Sequence, residues 1–585
     1  MKKSFIVIYL FVLILPVEAQ SLSGSQLDSL YNLFINMRTT NAKNVHAGIQ
    51  SVSTEHIKCG FGIASLIRTN FSRFTTTQQA MLKTLYDRPS SDTSFVTPGG
   101  FFRVHFTKAD TPDYIPDNIR KTVTTSGQMK LLQKEYLDSV AIALDSAYNF
   151  EVNYLGYPPP PSDNGAGGDN LYDIYISPDL GSEYGETDPE DEVISGSNRY
   201  TTYMMLNYNF KGFYTNGISA ARVTTAHEFH HSIQAGNYIL RYDLDEFFYE
   251  LTSTSMEHFV YPEIRDYLQY LTTYFYNTQH SLGYNGTLQE YALAIWNFYL
   301  KDLFGYGIIK RQWELMPQMR ALQAIANSIA DYNTSFGEQF NKFGIWTYYT
   351  NYRTKPGSYF EDASYYPVVQ PTAVLQMKDS TISINSTSVP VSNNFITFTR
   401  KDTLVSTKDS LSSKVDTLVT IITNIDINNG ISNTTAELPF NFTLYDYQQN
   451  GSTKLADNYY EAFTADKPAF WITSAILNTK VIDSTIYVVQ NLDYAFPSPF
   501  NYKNNAFLYI PAQPDTYGDT FLNIYNVAMK LVYSTNQNVI NYLGHKVLRW
   551  NGLDNQNKKL STGVYIYVTK SNNEIKKGKL VILNE

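Results

Sequence analysis

The sequence predicts a multidomain α+β protein: a mixed α/β region with a mostly helical C-terminal half, followed by two β-sandwich units. The chain has 585 residues, more than one hydrophobic core supports, and roughly three or four domains are expected. Helical spacing dominates residues 215–345, whereas short alternating runs with turn signals follow residue 366. Length and these two patterns together define the fold class.

Composition favours an extracellular protein. The chain contains 48 Tyr and 34 Phe, and only 17% of its residues are charged, which is typical of aromatic-rich β-structure. The net charge is −9 and no long basic run precedes the last few dozen residues. Nucleic acid is therefore not an expected partner.

The first nineteen residues (1–19) have the pattern of an export signal. Lys2 and Lys3 precede an apolar stretch over 5–15, and small side chains at Val17 and Ala19 suit a signal peptidase. The apolar run is too short to span a membrane, and no other segment approaches the necessary ~20 residues. We therefore expect a secreted chain without a transmembrane span after cleavage.

The rest of the chain divides at breaker clusters and changes of pattern. A propeptide-like segment over 20–98 ends at the Thr-Pro-Gly-Gly sequence of 97–100, and a candidate enzymatic domain occupies 99–365. A β-sandwich module over 366–494 and a final β unit over 495–585 follow. Within the second region we predict strands at 101–106 and 171–176 and helices at 134–154, 218–238, 245–260, 288–303 and 319–331.

A His-Glu-x-x-His motif lies in the 218–238 helix. Because residues four apart share a helix face, His227 and His231 can bind one Zn²⁺. Glu228 is then placed to act as general base toward a metal-activated water, which is the chemistry of peptide hydrolysis. His230 is left as a structural neighbour of the site.

A catalytic zinc site needs a third protein ligand, and the following helix offers three glutamates. Glu250 lies in an apolar stretch, where an unpaired charge is costly, and is the preferred ligand. Glu246 and Glu257 stay open as alternatives, with a solvated helix face as their ordinary role. A hydroxyl near the developing oxyanion is also expected, and Tyr291 or Tyr284 are candidates by position.

Two further features suggest ligands. Cys59 is the lone cysteine; it precedes the enzymatic domain and can serve as a latency thiolate on the metal, or as a small buried hydrophobe. Asp- and Glu-rich loops at 163–169 and 186–192 offer oxygen ligands for Ca²⁺, although neither has the spacing of an EF-hand.

Residues 55–320 resemble secreted bacterial gluzincin-type zinc metallopeptidases of the Myxococcus style. The matching stretches are 58–60, 102–106, 155–160, 167–169, 172–176, 225–234, 250–257 and 291–296. The resemblance implies a zincin-like fold with Glu250 as the third ligand, and protein or peptide substrates.

The last unit resembles a type IX secretion C-terminal sorting domain with an Ig-like fold. The resemblance rests on 496–501, 522–526, 550–554 and 560–565. It implies the type IX secretion machinery as a partner and export to the cell surface or medium.

These patterns together indicate a secreted zinc-dependent endopeptidase that is made as a zymogen. The rival hypothesis is a catalytically inactive cell-surface adhesin or binding protein that uses its β-modules. Glu228 between two candidate ligands argues against the rival, since a scaffold has no need of that carboxylate. Other common nucleophile and nucleotide motifs are absent from the sequence.

Overall fold

The structure is a computed structural model, and the description rests on the following residues: 22–39, 57–85, 87–109, 116, 125–177, 180, 183–208, 210–284, 288–377, 381–401, 415–427, 438–447, 452–455, 470–477, 495, 497–503, 507–512, 519–542, 545–571 and 574–584. The predicted signal peptide over 1–19 lies outside the described residues.

A six-stranded mixed sheet is the framework of the first half. Its strands are β1 (Ile57–Cys59), β2 (Thr93–Val96), β3 (Phe102–Phe106), β4 (Tyr172–Ser177), β5 (Glu183–Glu192) and β6 (Tyr200–Asn207). The order across the sheet is β1-β5-β6-β4-β3-β2. β3, β4 and β6 run parallel to one another. β2 pairs antiparallel with β3, and β5 pairs antiparallel with β6. β1 lies outside β5, parallel to it.

Helices surround this sheet and continue beyond it. They are α1 (Gly24–Thr39), α2 (Phe61–Thr69), α3 (Thr76–Leu85), α4 (Ser126–Tyr148), α5 (Gly217–Ile233), α6 (Tyr242–Val260), α7 (Leu271–Phe275), α8 (Gln289–Ala292), α9 (Ala294–Phe304), α10 (Gly307–Leu315), α11 (Ala321–Ala330) and α12 (Phe336–Tyr348). Side chains cap the N-termini of α4 and α12: the Thr125 side chain accepts a hydrogen bond from the Gln128 N–H, and the Ser335 side chain accepts one from the Glu338 N–H.

Two predicted helices differ in detail from the observed ones. The helix predicted over 218–238 is α-helical only as far as Ile233, the end of α5, and its last five residues, Gln234–Tyr238, form a π-helical turn. The 288–303 helix is broken into α8 and α9 at Leu293. In the described part of the chain, no helix has both the length and the apolar character that a membrane crossing needs.

The segment predicted as a propeptide belongs to two cores. α1, α2 and α3 share a small apolar cluster that includes Phe34, Ile67 and Leu82. By contrast, Cys59 and Phe61 belong to the large core of the next domain, and β1 and β2 belong to its sheet. Proteolytic removal of the 20–98 segment stays a prediction. Such a cut would take β1 away and expose the edge of β5.

Two β units complete the molecule. The first has the sheets β13-β10-β9-β7 and β12-β11-β8; its strands are β7 (Ala373–Met377), β8 (Thr381–Ser388), β9 (Ser392–Lys401), β10 (Val415–Asn424), β11 (Leu438–Tyr447), β12 (Ser452–Leu455) and β13 (Phe470–Leu477). The second has the sheets β14-β21-β20-β16-β17 and β15-β19-β18; its strands are β14 (Phe500–Asn501), β15 (Leu508–Pro511), β16 (Asp519–Asn526), β17 (Leu531–Asn538), β18 (Ile540–Tyr542), β19 (His545–Trp550), β20 (Gly563–Ser571) and β21 (Glu574–Leu583). In the second unit, residues of both sheets share one core around Trp550. The architecture is therefore multidomain α+β, as predicted.

Candidate metal centre

Helix α5 lies directly against strand β5. A Cβ atom on Gly185 would come within 2.6 Å of Thr224 Cγ2 and 2.9 Å of Glu228 Cγ, so only glycine permits this approach. The contact sets the motif of α5 beside the outer strands of the sheet. His227, Glu228 and His231 are all fully buried there.

The two motif histidines and one glutamate of α6 converge. The Nε2 atoms of His227 and His231 are 3.1 Å apart. Oε2 of Glu250 lies 3.2 Å from His227 Nε2 and 3.5 Å from His231 Nε2. Two nitrogen donors of a tetrahedral Zn²⁺ are roughly 3.3 Å apart, given zinc–nitrogen bonds of about 2.0–2.1 Å. The observed spacing therefore suits one small cation.

Hydrogen bonding leaves these donor atoms available. His227 Nδ1 lies 2.8 Å from Glu257 Oε1, and His231 Nδ1 lies 2.7 Å from Gln234 Oε1. An imidazole that donates through Nδ1 presents a lone pair on Nε2. Oε2 of Glu250 is buried without a hydrogen-bond partner among the described residues. Two lone pairs and an orphaned carboxylate oxygen facing one point fit a metal ion.

The charges of the neighbouring side chains also suit a metal ion. Burial alone would lower the pKa of His227, but the carboxylates of Glu250 and Glu257 raise it to about 9. Burial alone would raise the pKa of Glu250, yet the rings of His231 and His227 hold it well below its usual range. The pocket thus stabilises positive charge between these groups, and a metal can supply that charge.

The ligands are held by further side chains. Tyr242 donates to Oε1 of Glu250 at 2.7 Å, which leaves Oε2 available to bind a metal ion. Glu257 fixes His227, as described above. The solvated-face role expected for Glu257 is wrong, because its side chain is buried near the C-terminal end of α6. Glu246 is partly exposed and lies outside the group of candidate donors.

Glu228 lies beside the ligands without joining them. Its Oε2 accepts from Thr187 Oγ1 at 2.8 Å, whereas Oε1 has no hydrogen-bond partner in the described part of the chain. Burial raises the pKa of Glu228, and the His227 and His231 rings oppose that rise. A buried carboxylate with one anchored and one free oxygen has the geometry of a general base.

Cys59 completes the group. Donor atoms of Cys59, His227, His231 and Glu250 all lie within 4.8 Å of one another, the one such cluster among the described residues. Phe61, two residues after Cys59, helps to position it: the Phe61 ring stacks on the ring of His231, with centroids 4.1 Å apart. Burial raises the pKa of the Cys59 thiol, and the carboxylates of Glu228 and Glu250 raise it further.

The structure separates the two tyrosine candidates. Tyr291 is buried, and its ring lies 6.2 Å from the ring of His227. Burial raises the pKa of its phenol, and so do Glu250 and Cys59. Tyr284 is 39% exposed and contacts His280 instead. Of these two candidates, Tyr291 is the one that borders the candidate metal centre.

His230 pairs with a residue outside the group of candidate metal ligands. Its Nδ1 lies 2.7 Å from Oε2 of Glu151, and both side chains are fully buried. Burial lowers the pKa of His230, with the neighbouring His231 and His227 adding to the effect. This placement matches the structural role expected from the sequence.

Arginines engage the acidic loops that were candidates for calcium. Arg88 pairs with Asp163 and Glu190, each at 2.6 Å. Arg103 pairs with Asp169. Guanidinium groups thus neutralise these carboxylates from within the protein.

Sequence reasoning missed several groups around the site: Lys58, Thr187, Gln234, Tyr242 and Asp266. Some of these residues contact the site only because distant parts of the chain come together. Others are of a residue type too common in the sequence to be singled out. Gln234 was the one with a local signal, since it lies three positions after His231 at a spacing that faces its ring.

Part of the chain matches the model of a protein family whose function is unknown. A family model described as "Family of unknown function (DUF6055)" matches residues 124–342, which include α4 to α6 and the candidate ligands of α5 and α6. No curated protein matches the chain.

Two solved structures from Porphyromonas gingivalis show only low similarity. PorZ, an essential bacterial surface component of the type-IX secretion system, is 14% identical with a TM-score of 0.14, and the match covers 29% of this chain and 21% of PorZ. Dimeric latent PorU is 13% identical with a TM-score of 0.13, and the match covers 26% of this chain and 13% of PorU. The chain thus spans about a fifth or less of either protein, and similarities this low support no argument about fold or function.

Proposed function

We propose that this chain is a secreted zinc-dependent endopeptidase with a zincin-like catalytic domain. The observation that supports it most strongly is the convergence of His227, His231 and Glu250 with the free oxygen of Glu228 beside them. Two imidazoles and one carboxylate, with a fourth position for another donor, are a ligand set of catalytic zinc. Calcium lacks comparable support, because arginines pair with the carboxylates of its candidate loops.

The chemistry then divides among named groups. His227, His231 and Glu250 would hold the zinc ion, which would supply the Lewis acidity that activates water and polarises a carbonyl. Glu228 accepts the proton of the attacking water through its free oxygen and delivers it to the leaving nitrogen. Thr187 keeps that carboxylate in position. The phenol of Tyr291 donates a hydrogen bond to the developing oxyanion.

The same geometry supports latency. Cys59 offers a fourth donor to the metal, and β1 covers the edge of β5. An extended substrate binds most simply by adding a strand to such an edge. Both the fourth metal position and the substrate edge are therefore blocked until the leading segment leaves, which supports a zymogen.

Features at both ends of the given sequence support export. The pattern of residues 1–19 supports passage through a Sec-type route. The final sandwich over 495–585 supports recognition by type IX secretion machinery, through the resemblance of its motifs. The substrates are then extracellular proteins or peptides.

Casein hydrolysis by the secreted protein tests this function. The wild type is expected to cleave, and Glu228→Gln is expected to keep its zinc and lose activity by about 10²–10⁴-fold. Cys59→Ser opens only the fourth metal position, and β1 still covers the edge of β5. The unprocessed variant is therefore expected to show part of the activity of the processed enzyme, above that of the unprocessed wild type. A zinc-loaded wild type that cleaves neither casein nor peptides under any processing state would favour the adhesin hypothesis instead.

A further inference from the structure

Lys58 of β1 lies in a closed acidic pocket beside the metal centre. Its Nζ atom is 2.6 Å from Asp266 Oδ2 and 3.0 Å from Glu257 Oε2, and none of its side chain is exposed. The ammonium also lies 4.4 Å from the centroid of the Tyr184 ring. Tyr184 in turn donates to Oδ1 of Asp266 at 3.3 Å. Two carboxylates and an aromatic face therefore enclose one cation.

The pocket requires a positive occupant. A neutral side chain would leave Asp266 and Glu257 buried without a counter-charge, which is strongly unfavourable. Burial alone would lower the pKa of Lys58, but Asp266 and Glu257 raise it above its usual value. Glu257 cannot move away freely, because its other oxygen holds His227.

The walls of the pocket and its occupant come from different parts of the chain. Tyr184 belongs to β5, Glu257 to α6 and Asp266 to the turn Asp266–Tyr270. Lys58 belongs to the segment that the proposed maturation removes. It directly precedes Cys59, which pairs in register with Gly185 of β5. The pocket thus adjoins the metal along the same strand edge that a substrate would use.

A second cation of the leading segment contacts the same strand. Arg38 of α1 lies 2.8 Å from Glu186 Oε2 and 2.7 Å from Asp188 Oδ2, and both carboxylates are buried. The face of β5 that the segment covers is therefore acidic at more than one position. A peptide that replaces the segment meets this negative surface.

We propose that Asp266 and Glu257 form a specificity pocket for a basic side chain, with lysine as its best occupant, next to the bond to be cleaved. Lys58 fills this pocket in the latent chain as a substitute for substrate. The inference rests on the proposed peptidase function and adds to it a substrate class: polypeptides with a lysine or arginine beside the scissile bond.

Peptide binding tests the pocket without requiring catalysis. The protein is the secreted form with Glu228→Gln after added wild-type enzyme has removed its leading segment. The probe is a labelled peptide of residues 55–62 with serine in place of Cys59. A second probe carries norleucine in place of Lys58, which keeps the length and removes the charge. The lysine peptide is expected to bind on the order of 100-fold more tightly.

Two variants assign the preference to the pocket. Asp266→Asn is expected to bring the two peptides to similar affinities. Asp362→Asn is the matched control, since it removes a buried carboxylate that pairs with Arg265 instead, and it should keep the preference. Equal binding of both peptides, or no binding of either, would overturn the pocket.

Cleavage mapping with the wild type separates this inference from the proposed function. Sites cut in a mixture of peptides should be enriched in lysine or arginine on one side, and Asp266→Asn should lose the enrichment while still cleaving. Cleavage without any basic preference would overturn the pocket and leave the peptidase standing. Selective binding of the lysine peptide by a protein that cleaves nothing would do the reverse.

Discussion

The Nδ1 atom of His227 lies 2.8 Å from Oε1 of Glu257, a residue thirty positions further along the chain. The contact fixes the orientation of the ring and directs its Nε2 toward His231 and Glu250. A carboxylate behind a ligating histidine also makes the ring a stronger donor. Glu257 thus contacts both a candidate metal ligand, His227, and Lys58.

Glu257→Gln should weaken zinc binding by about 10–100-fold. The amide keeps an acceptor oxygen but removes the charge that strengthens His227 as a ligand. Competition with a chromophoric chelator measures the affinity. Glu263→Gln, on the exposed turn after α6, is the control and should bind zinc as the wild type does; equal affinities in both variants would contradict this role.

Tyr291→Phe should lower kcat by about 10²–10³-fold with little change in KM. The ring that packs beside His227 is retained, and only the hydrogen bond to the oxyanion is lost. Steady-state kinetics on a peptide substrate measures both constants. Tyr284→Phe removes the other candidate hydroxyl and should leave kcat unchanged; a similar loss in both variants would refute a specific role for Tyr291.

Gly185→Ala should lower the melting temperature, because its Cβ atom would overlap Thr224 Cγ2. Overpacking of this kind costs about 1–3 kcal/mol. Thr224→Ser in the same chain removes the overlapping methyl group and should restore part of the loss. Thermal unfolding of the single and double variants tests the contact, and purely additive effects would argue against it.

Stability should fall as pH rises through the titration of Glu183. Burial raises the pKa of this carboxyl from 4.5 to about 8, with Arg38 opposing the rise and Asp188 adding to it. Between those values the folded protein holds a proton that the unfolded chain has released, so the free energy of unfolding decreases with pH. Melting temperatures from pH 4.5 to 8.5 should show a shallower slope in Glu183→Gln than in the wild type. An unchanged slope would mean that Glu183 is ionised throughout.

The sequence specifies the centre of the site because its geometry is local. His227, Glu228 and His231 lie on one helix, and the spacing of four residues is sufficient to bring two imidazoles together. Glu250 follows from a second argument, that a charge in an apolar stretch needs a partner. The structure brings all four residues together.

The surroundings of the site could not be predicted, because they depend on contacts between distant residues. Lys58 meets Glu257 across 199 positions and Asp266 across 208, and no local pattern marks such a pair. The start of α8 also has no sequence signal. Leu288, which precedes α8, has a φ of 64°, a conformation that leucine rarely adopts without support from tertiary packing.

Zinc content of the purified chain tests the central claim most directly. Elemental analysis should find one zinc per chain in the wild type and in Glu246→Ala, since Glu246 is not a ligand. Glu250→Ala should lose the metal, because only two histidines and the displaceable Cys59 would remain. A wild type without zinc, or a Glu250→Ala variant that retains it at full stoichiometry, would contradict the account.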